Sequence, residues 1–279
     1  MKLSIITVNL NNANGLRKTI ESVVSQTFTD FEYIVIDGGS TDGGVDIIKQ
    51  YADKITYWVS EPDKGIYNAM NKGILRAKGE YCYFLNSGDY LVDENVLKII
   101  FSRDSICGFI NGNRIMFGSE KGKSVVDKGV AFKTKGNVTL RNMLEDNLRH
   151  QSTFIKRELF EKYGLYDENY IIVSDWILFL RAIGLDGERV EYMDVNIAYF
   201  DTTGISRSQK SLGALERKRA IATYVPLSIL RDYENFLDIE SKFRSKDYDE
   251  YQNLKNGKLG IIIKLFIRLL TRLSKMMRV

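Results

Sequence analysis

The sequence predicts an α/β fold: a Rossmann-like, mostly parallel sheet flanked by helices, with a helical extension at the C-terminal end. Three observations predict it. Short apolar runs alternate with helix-period segments through the first hundred residues, and polar loops rich in Asn, Asp and Gly close most of the runs. With 279 residues, 44% apolar and 27% charged, the chain can also bury a substantial core, as one large domain or one domain plus an extension.

Taken in order, Leu3 to Val8 reads as a buried strand, and Leu16, Ile20, Val23 and Val24 give the helix that follows. Phe31 to Ile36 is a second strand. Thr41-Asp42 reads as a helix start before Val45, Ile47, Ile48 and Tyr51. Ile55 to Val59 is a third strand, Ile66, Met70 and Ile74 mark a helix, and Glu80 to Leu85 is a fourth strand. Right-handed crossovers put the C-terminal ends of such strands on one edge, where ligands of open α/β sheets sit. Chemistry is therefore expected in the loops Asn9 to Asn14, Asp37 to Asp42, Glu61 to Gly65 and Asn86 to Asp89. Beyond them, Ile106 to Val130 reads as strands crossing beneath the parallel part. Arg157 to Tyr163 and Ser174 to Ile183 read as helices, and Arg189 to Phe200 as a strand. Ser206 to Tyr224 and Val225 to Phe243 read as helices, and Arg244 to Lys255 as a polar link.

Composition narrows the function. The net charge of +4 is modest and its basic residues are spread along the chain, which does not point to nucleic acid. The two cysteines, Cys82 and Cys107, form no metal or disulfide framework, and the N-terminal apolar stretch is too short for a signal peptide, so a cytoplasmic protein is expected. Neither GxxxxGK[ST] nor GxGxxG follows the first strand, which weighs against a P-loop kinase and a dinucleotide-binding dehydrogenase.

Two of the loops carry carboxylates suited to a nucleotide and its metal. Asp37 ends the second strand before two glycines, where a base or ribose can approach the backbone closely; the plainer reading of Asp37-Gly-Gly-Ser is a turn. Asp89 lies in an oxygen-rich loop that suits Mg²⁺ or Mn²⁺; the plainer reading is a loop Asp capping a helix near Asp93.

Over roughly the first ninety residues, SIITVNLNN, SQTF, EYIVIDGGSTDG, SEPDKGIYNAMNKGI and AKGEYCYFLNSGD together resemble glycosyltransferase family 2. The resemblance implies the GT-A fold and an inverting, metal-dependent transferase that uses a nucleotide-diphosphate sugar, a UDP-sugar as first choice. It places Thr7 and Asn9 in the base and ribose pocket, Asp37 with Gly38 at the base, and Asp63, Lys64, Gly65, Asn71 and Ser87 around the nucleotide. Asp89 becomes the carboxylate for Mn²⁺ or Mg²⁺, and Asp175 the catalytic base. The sequence departs from the family pattern in three places. Asn86-Ser87-Gly88-Asp89 replaces Asp-x-Asp-Asp, Met70 stands where Arg is common, and Ser174 precedes Asp175 where Glu is usual.

The remaining candidates lie on the acceptor side: His150 and Gln151, Trp176 as a surface for a sugar ring, and Arg207 near the diphosphate. Each has a plainer reading. Asp175 can be a first-turn acid with Ser174 as cap, Trp176 a core aromatic, His150 structural and Arg207 a solvated loop residue. The expected organisation is a GT-A domain over 1–205, divided near 105/106 into nucleotide and acceptor halves, then a helical extension over 206–256 and a basic amphipathic helix over 257–279. In that last segment Lys264, Arg268, Arg272 and Lys275 form one helical stripe beside a broad apolar face, which suits a helix lying in the plane of the anionic cytoplasmic leaflet. Its plainer role is packing on the enzyme or on a second copy in a homodimer. The expected acceptor is a hydroxyl of a glycan or lipid-linked molecule in bacterial surface polysaccharide synthesis (O-antigen, capsule or exopolysaccharide). A sugar nucleotidyltransferase and a catalytically inactive nucleotide-sugar-binding or membrane-associated protein are the competing readings.

Overall fold

The computed structural model describes residues 1–119, 123–202, 204, 209–243, 250, 252 and 257. Among them the strands form one nine-stranded sheet. Its first half is parallel: β3 (Tyr57–Ser60), β2 (Phe31–Asp37), β1 (Leu3–Asn9) and β4 (Tyr81–Phe84) lie side by side, with β1 in continuous register from Leu3↔Phe31 to Asn9↔Asp37. Every residue of β1 and β4 is buried, as expected for strands covered on both faces.

The second half departs from the expectation of strands passing beneath the first. β8 (Thr153–Lys156) pairs antiparallel with the outer edge of β4, and β6 (Phe109–Ser119) and β9 (Val190–Phe200) continue the same sheet. The two-residue β5 (Tyr90–Leu91) closes that side against β9, and β7 (Lys123–Asp127) pairs with β6. An edge of β4 left bare would expose unpaired backbone, so recruiting β8 there satisfies it.

The helices follow the apolar spacing. α1 (Ala13–Val24) buries Leu16, Ile20 and Val23 and is capped by Asn12, whose side chain accepts the N–H of Gly15. Burial of each such side chain contributes about 1.5–3 kcal/mol. α2 (Gly44–Gln50) begins two residues later than Thr41-Asp42 suggests. The Asp42 carboxylate is spent on Ala13 N–H (2.7 Å) and Gly44 N–H (3.0 Å), so it ties the first two strand-to-helix loops together. α3 (Ile66–Arg76) leads into β4 through Gly79, where a Cβ would stand 2.5 Å from the β1 backbone at Leu3 and Ser4.

Four short helices follow: α4 (Val96–Ile100), α5 (Gly129–Thr134), α6 (Leu140–Glu145) and α7 (Glu158–Tyr163). α8 (Ser174–Phe179) is shorter than its apolar run suggests and continues as a π-helical turn, Leu180–Leu185. The helices α9 (Lys210–Tyr224) and α10 (Leu227–Phe243) complete the described elements.

By internal contacts the chain divides into two units, Met1–Tyr224 and Val225–Val279. α9 falls within the first of these units. Its Glu216 carboxylate accepts the backbone N–H groups of Ile171 and Ile172 at 2.7 and 2.8 Å, which fixes the loop leading into α8. Among the described residues no helix is long and apolar enough to cross a membrane.

Candidate active site

The C-terminal ends of β1 and β4 open into a cavity of about 870 Å³, within the range of small-molecule sites. One wall comes from the parallel half: Asn9 and Asn12 after β1, Asp63 and Gly65 before α3, and Asn86 to Asp89 after β4. The facing wall carries Arg114 of β6, Arg149 and His150, Asp175 at the start of α8, Asp201 after β9, and Arg217 of α9. Among the described residues, five buried side-chain polar atoms have no hydrogen-bond partner, and four of them (Asn9 Oδ1, Asn86 Oδ1, Asn147 Oδ1 and His150 Nε2) belong to residues lining this cavity. Buried polar atoms are rarely left unpaired, so their gathering here marks a surface made to be completed by a polar ligand.

Asp89 is almost fully buried, and its Oδ1 accepts the backbone N–H of Asp201 at 2.8 Å. Burial pushes its carboxyl up to about 7; the Asp201 N–H and the charges of His150 and Arg114 pull the other way, and the charge of Asp201 adds to the rise. Gly88, at φ 104°, makes the approach of Asp201 feasible, since a Cβ there would come within 2.9 Å of Asp201 Oδ2. Two carboxylates and the Asn86 amide oxygen are hard oxygen donors. A small divalent cation is commonly held by one or two carboxylates plus ligand phosphates, so this donor set fits Mg²⁺ or Mn²⁺. No group of three or more His, Cys, Asp or Glu able to hold a metal occurs among the described residues.

Asp175 occupies the other wall. Its Oδ1 accepts from the Tyr67 hydroxyl (2.9 Å) and its own helix's Trp176 N–H (2.8 Å), and Oδ2 pairs with His150 Nδ1 at 3.0 Å. Burial alone would raise its carboxyl, but the bonds from His150, Trp176 and Tyr67 outweigh it and hold the group below the ordinary carboxylate range. Ser174 does not cap the helix; its hydroxyl is buried without a partner, and the cap position falls on Val173.

Of the residues singled out in the sequence, Asn9, Asp63, Gly65, Ser87, Asp89, His150, Gln151, Asp175 and Trp176 line the cavity. Thr7 does not: its hydroxyl is fully buried, 3.0 Å from the Tyr33 hydroxyl and donating to Leu85 O at 2.8 Å. Asp37 is likewise enclosed. Its carboxylate accepts from Asn9, Ser40, Ser60 and the backbone of Gly39 and Ser40, and these bonds outweigh burial and hold it below the usual range. At Gly38 the space that a Cβ would take is occupied by the Asp63 carboxylate, and Lys64 stands outside on the surface, its N–H bonded to Asn68. Asn71 ties α3 to the backbone of Tyr166 rather than facing the cavity. Trp176 is buried, donates to Met143 O, and has the Arg217 guanidinium 4.4 Å over its ring, so that face is not open to a sugar. Gln151 is held by Arg114. Arg207 and the basic segment over 258–279 lie outside the described residues.

Residues 4–164 match the family model described as Glycosyl transferase family 2, more than half of the chain. The chain belongs to that family. A Mycobacterium bovis protein named PGL/p-HBAD biosynthesis glycosyltransferase is 30% identical over 205 residues, spanning 72% of this chain and 77% of the relative. An uncharacterized glycosyltransferase of Mycobacterium tuberculosis is 35% identical over 208 residues, 73% and 76% of the two chains. Staphylococcus aureus TarS 1–349, solved with UDP-GlcNAc, shares the fold with a TM-score of 0.64 at 19% identity, covering 83% of this chain and 70% of that one. The mannosyltransferase PcManGT of Pyrobaculum calidifontis, solved with GDP-Man and Mn²⁺, does so with a TM-score of 0.61 at 16% identity, over 80% and 63%. The sheet and its helices are therefore a GT-A fold, and the protein is a glycosyltransferase.

In this family 2 transferase the sequence reading misses the basic side of the site. Arg114 and Arg149 share the Asp127 carboxylate, and Arg149 also pairs with Asp146. Arg217 donates to Asp146 O. Arg114 sits in a strand-forming run, Arg149 next to the single histidine and Arg217 in a helix of mixed pattern, and no spacing links the three. Asp201 is missed for the same reason, since it meets Asp89 only through the β5–β9 pairing.

Proposed function

We propose that the chain transfers a sugar, with inversion, from a nucleoside-diphosphate donor to a hydroxyl of a glycan or lipid-linked acceptor in bacterial surface polysaccharide synthesis. A UDP-sugar is the first choice of donor, a choice supported by the UDP-GlcNAc that the TarS structure holds. The observation that carries the reading is the division of one cavity: oxygen-rich strand ends with Asp89 on one wall, and a hydrogen-bonded carboxylate, Asp175, on the other.

The donor's nucleotide lies along the strand ends, where the unpaired Oδ1 atoms of Asn9 and Asn86 can accept its donors. Asp89 and Asp201 would hold Mn²⁺ or Mg²⁺, which would supply positive charge to the departing diphosphate. Arg114, which makes three of its bonds to Asp127 and Gln151, keeps further N–H groups for the same developing charge. Holding the acceptor hydroxyl in line with the anomeric carbon supplies much of the rate. The centre formed by Asp175 removes the hydroxyl proton as the new C–O bond forms and the bond to the diphosphate breaks. The basic segment over 257–279 places the enzyme on the inner face of the cytoplasmic membrane, beside lipid-linked acceptors.

The test is release of nucleoside diphosphate from UDP-, GDP- and dTDP-sugars with Mn²⁺, preceded by thermal-shift screening of the same donors. Release is expected to vanish in Asp89→Ala and to fall at least about a hundredfold in Asp175→Asn, in line with the loss of a proton-transfer group. Wild-type turnover in both variants would overturn the assignment.

A further inference from the structure

The wall that holds Asp175 also carries one face of α9. Lys210, Gly213, Ala214 and Arg217 all line the cavity, and they stand at i, i+3, i+4 and i+7, which is a single helical stripe. We propose that this face binds an anionic group of the acceptor, a phosphate or a carboxylate carried close to the accepting hydroxyl, between Arg217 and Lys210. This rests on the transferase reading and deepens it by naming the chemical class of the acceptor.

Three guanidinium groups line the cavity, and they differ in what neutralises them. Burial lowers Arg149, but its bonds to the Asp127 and Asp146 carboxylates, 2.9 Å each, outweigh it and leave the group above its ordinary range. Burial lowers Arg114 as well; it shares Asp127 and feels the charge of Asp89, on the side of the departing diphosphate. Arg217 forms no ion pair among the described residues. Its hydrogen bond runs to a backbone oxygen, Asp146 O at 2.7 Å, and its guanidinium lies 4.4 Å from the centre of the Trp176 ring. Burial pushes Arg217 down, and the charges of Asp146 and Asp175 do not make up the loss, to which Arg149 adds. A guanidinium has five N–H donors, so most of those on Arg217 remain for a ligand. A half-buried cation short of negative charge gains from an incoming anion.

The fold holds Arg217 beside Asp175 rather than beside Asp89. Its neighbour Glu216 accepts the N–H groups of Ile171 and Ile172 at 2.7 and 2.8 Å, and a Cβ on Gly213 would stand 3.2 Å from Ile172. α9 therefore lies directly on the loop that enters α8, and the ring beneath Arg217 is that of Trp176, next to Asp175. Lys210 is exposed, two turns before Arg217, or about 10 Å along the axis. Between them Gly213 and Ala214 keep the helix surface low, so both long side chains can close on one group. The arginine offers a planar fork to two oxygens of a phosphate or carboxylate, and the lysine adds a point charge. Glu145, Asp146 and Asp175 also line the cavity, and each is already engaged: Glu145 with Arg141 at 2.8 Å, Asp146 with Arg149 at 2.9 Å and Asp175 with His150 at 3.0 Å. A neutral acceptor leaves Arg217 without an anion, so the site selects by charge.

The rivals are an arginine that only pins α9 to Trp176 and one that meets the donor's diphosphate. To separate them, the full-length enzyme is saturated with Mn²⁺ and the nucleoside diphosphate that the donor screen selects, which fills the donor side. Methyl glucoside 6-phosphate, methyl glucuronide and methyl glucoside are then titrated by calorimetry. At least one anionic probe is expected to bind about tenfold or more tightly than the neutral one, and the tighter of the two tells phosphate from carboxylate. Arg217→Gln should bring that preference to within about threefold, and Lys210→Gln should reduce it in part. Arg217→Met, which keeps the stem over Trp176, should match Arg217→Gln and serves where the latter melts early. Lys218→Gln, at an exposed α9 residue outside the cavity lining, should keep the preference. Absence of preference in the wild type, or its survival in both Arg217 variants, overturns the proposal. So does release of the bound diphosphate by the anionic probes, or a tenfold loss of diphosphate affinity in the Arg217 variants (about 1.4 kcal/mol), either of which assigns Arg217 to the donor. A wild type that binds no nucleoside diphosphate would instead remove the transferase reading.

Discussion

At the scale of single residues, the site holds one carboxylate whose burial works against it and one whose burial is compensated. Asp175 has three donors, whereas Asp89 has the Asp201 N–H and a neighbouring acid. For Asp89 the folded protein favours the protonated form. Its contribution to stability is therefore greatest below the unfolded carboxyl value of about 3.9 and is lost as pH rises toward about 7. At pH 8 without divalent cations the cost is fully present. Asp89→Asn, of equal size and uncharged, is expected to melt higher there by about 1–2 kcal/mol, roughly 3–6 °C for a domain of this size. In exchange, Mn²⁺ should no longer raise its Tm. Calorimetry at pH 8 with and without Mn²⁺ checks both, and a lower Tm with the metal shift retained contradicts the account. The same contrast shows what was legible in the sequence. Asp89 could be singled out because it closes an oxygen-rich loop after a strand, and Asp175 because the family resemblance marks its position. Thr7 and Asp37 stand in equally suggestive positions, but their polar atoms are consumed by Tyr33, Leu85, Ser40 and Ser60, partners that the chain order gives no means of counting.

At the scale of elements, the parallel half was readable together with its arrangement, whereas in the second half β6, β7, β9, α7 and α8 were readable as elements but their place in the sheet was not. β1 to β4 announce themselves as apolar runs separated by helical periods. β6, β8 and β9 become neighbours only through long-range pairing, such as Phe109↔Ile155 and Phe109↔Val190. That half is fastened at the cavity by charge: Asp127, at the end of β7, holds Arg114 from β6 and Arg149 before His150. Burial pushes the Asp127 carboxyl up, but the two guanidinium groups outweigh it and hold it below the ordinary range. A lowered carboxyl stabilises the fold above its unfolded value of about 3.9 and loses that contribution as pH falls through its folded value. Asp127→Asn is therefore expected to cost about 2 kcal/mol at pH 7, somewhat below the cost of breaking a fully buried pair, because both partners keep some exposure. The difference should shrink steadily below about pH 4. Urea unfolding at pH 7 and pH 3 measures it, and an equal cost at both values would show that the arginines are held by something other than charge. Because Arg149 precedes His150, whose ring pairs with Asp175, the same variant is expected to lower kcat.

At the scale of the whole molecule, every residue lining the cavity falls within the unit Met1–Tyr224, so the catalytic reading and the membrane contact proposed for the basic segment can be tested separately. The charge distribution is what points that proposal to the tail. Lys258, Lys264, Arg268, Arg272, Lys275 and Arg278 occur in the last 23 residues without a single acid, and these six charges exceed the net +4 of the entire chain. The remainder is on balance slightly acidic, so attraction to an anionic leaflet must come through the tail, at about 1 kcal/mol for each basic residue brought near the surface. Replacing Lys264, Arg268, Arg272 and Lys275 by Gln keeps the apolar residues of the segment and removes four of its six charges. The full chain is expected to sediment with phosphatidylcholine vesicles containing about one third phosphatidylglycerol, and much less with phosphatidylcholine alone. The fourfold variant should bind the anionic vesicles at least about tenfold more weakly while releasing nucleoside diphosphate from a soluble donor at the wild-type rate. Equal binding by the variant would assign the interaction to the apolar face alone. No vesicle binding by the wild type, with a dimer that dissociates in the variant, would turn the tail from a membrane anchor into a contact between two copies of the enzyme.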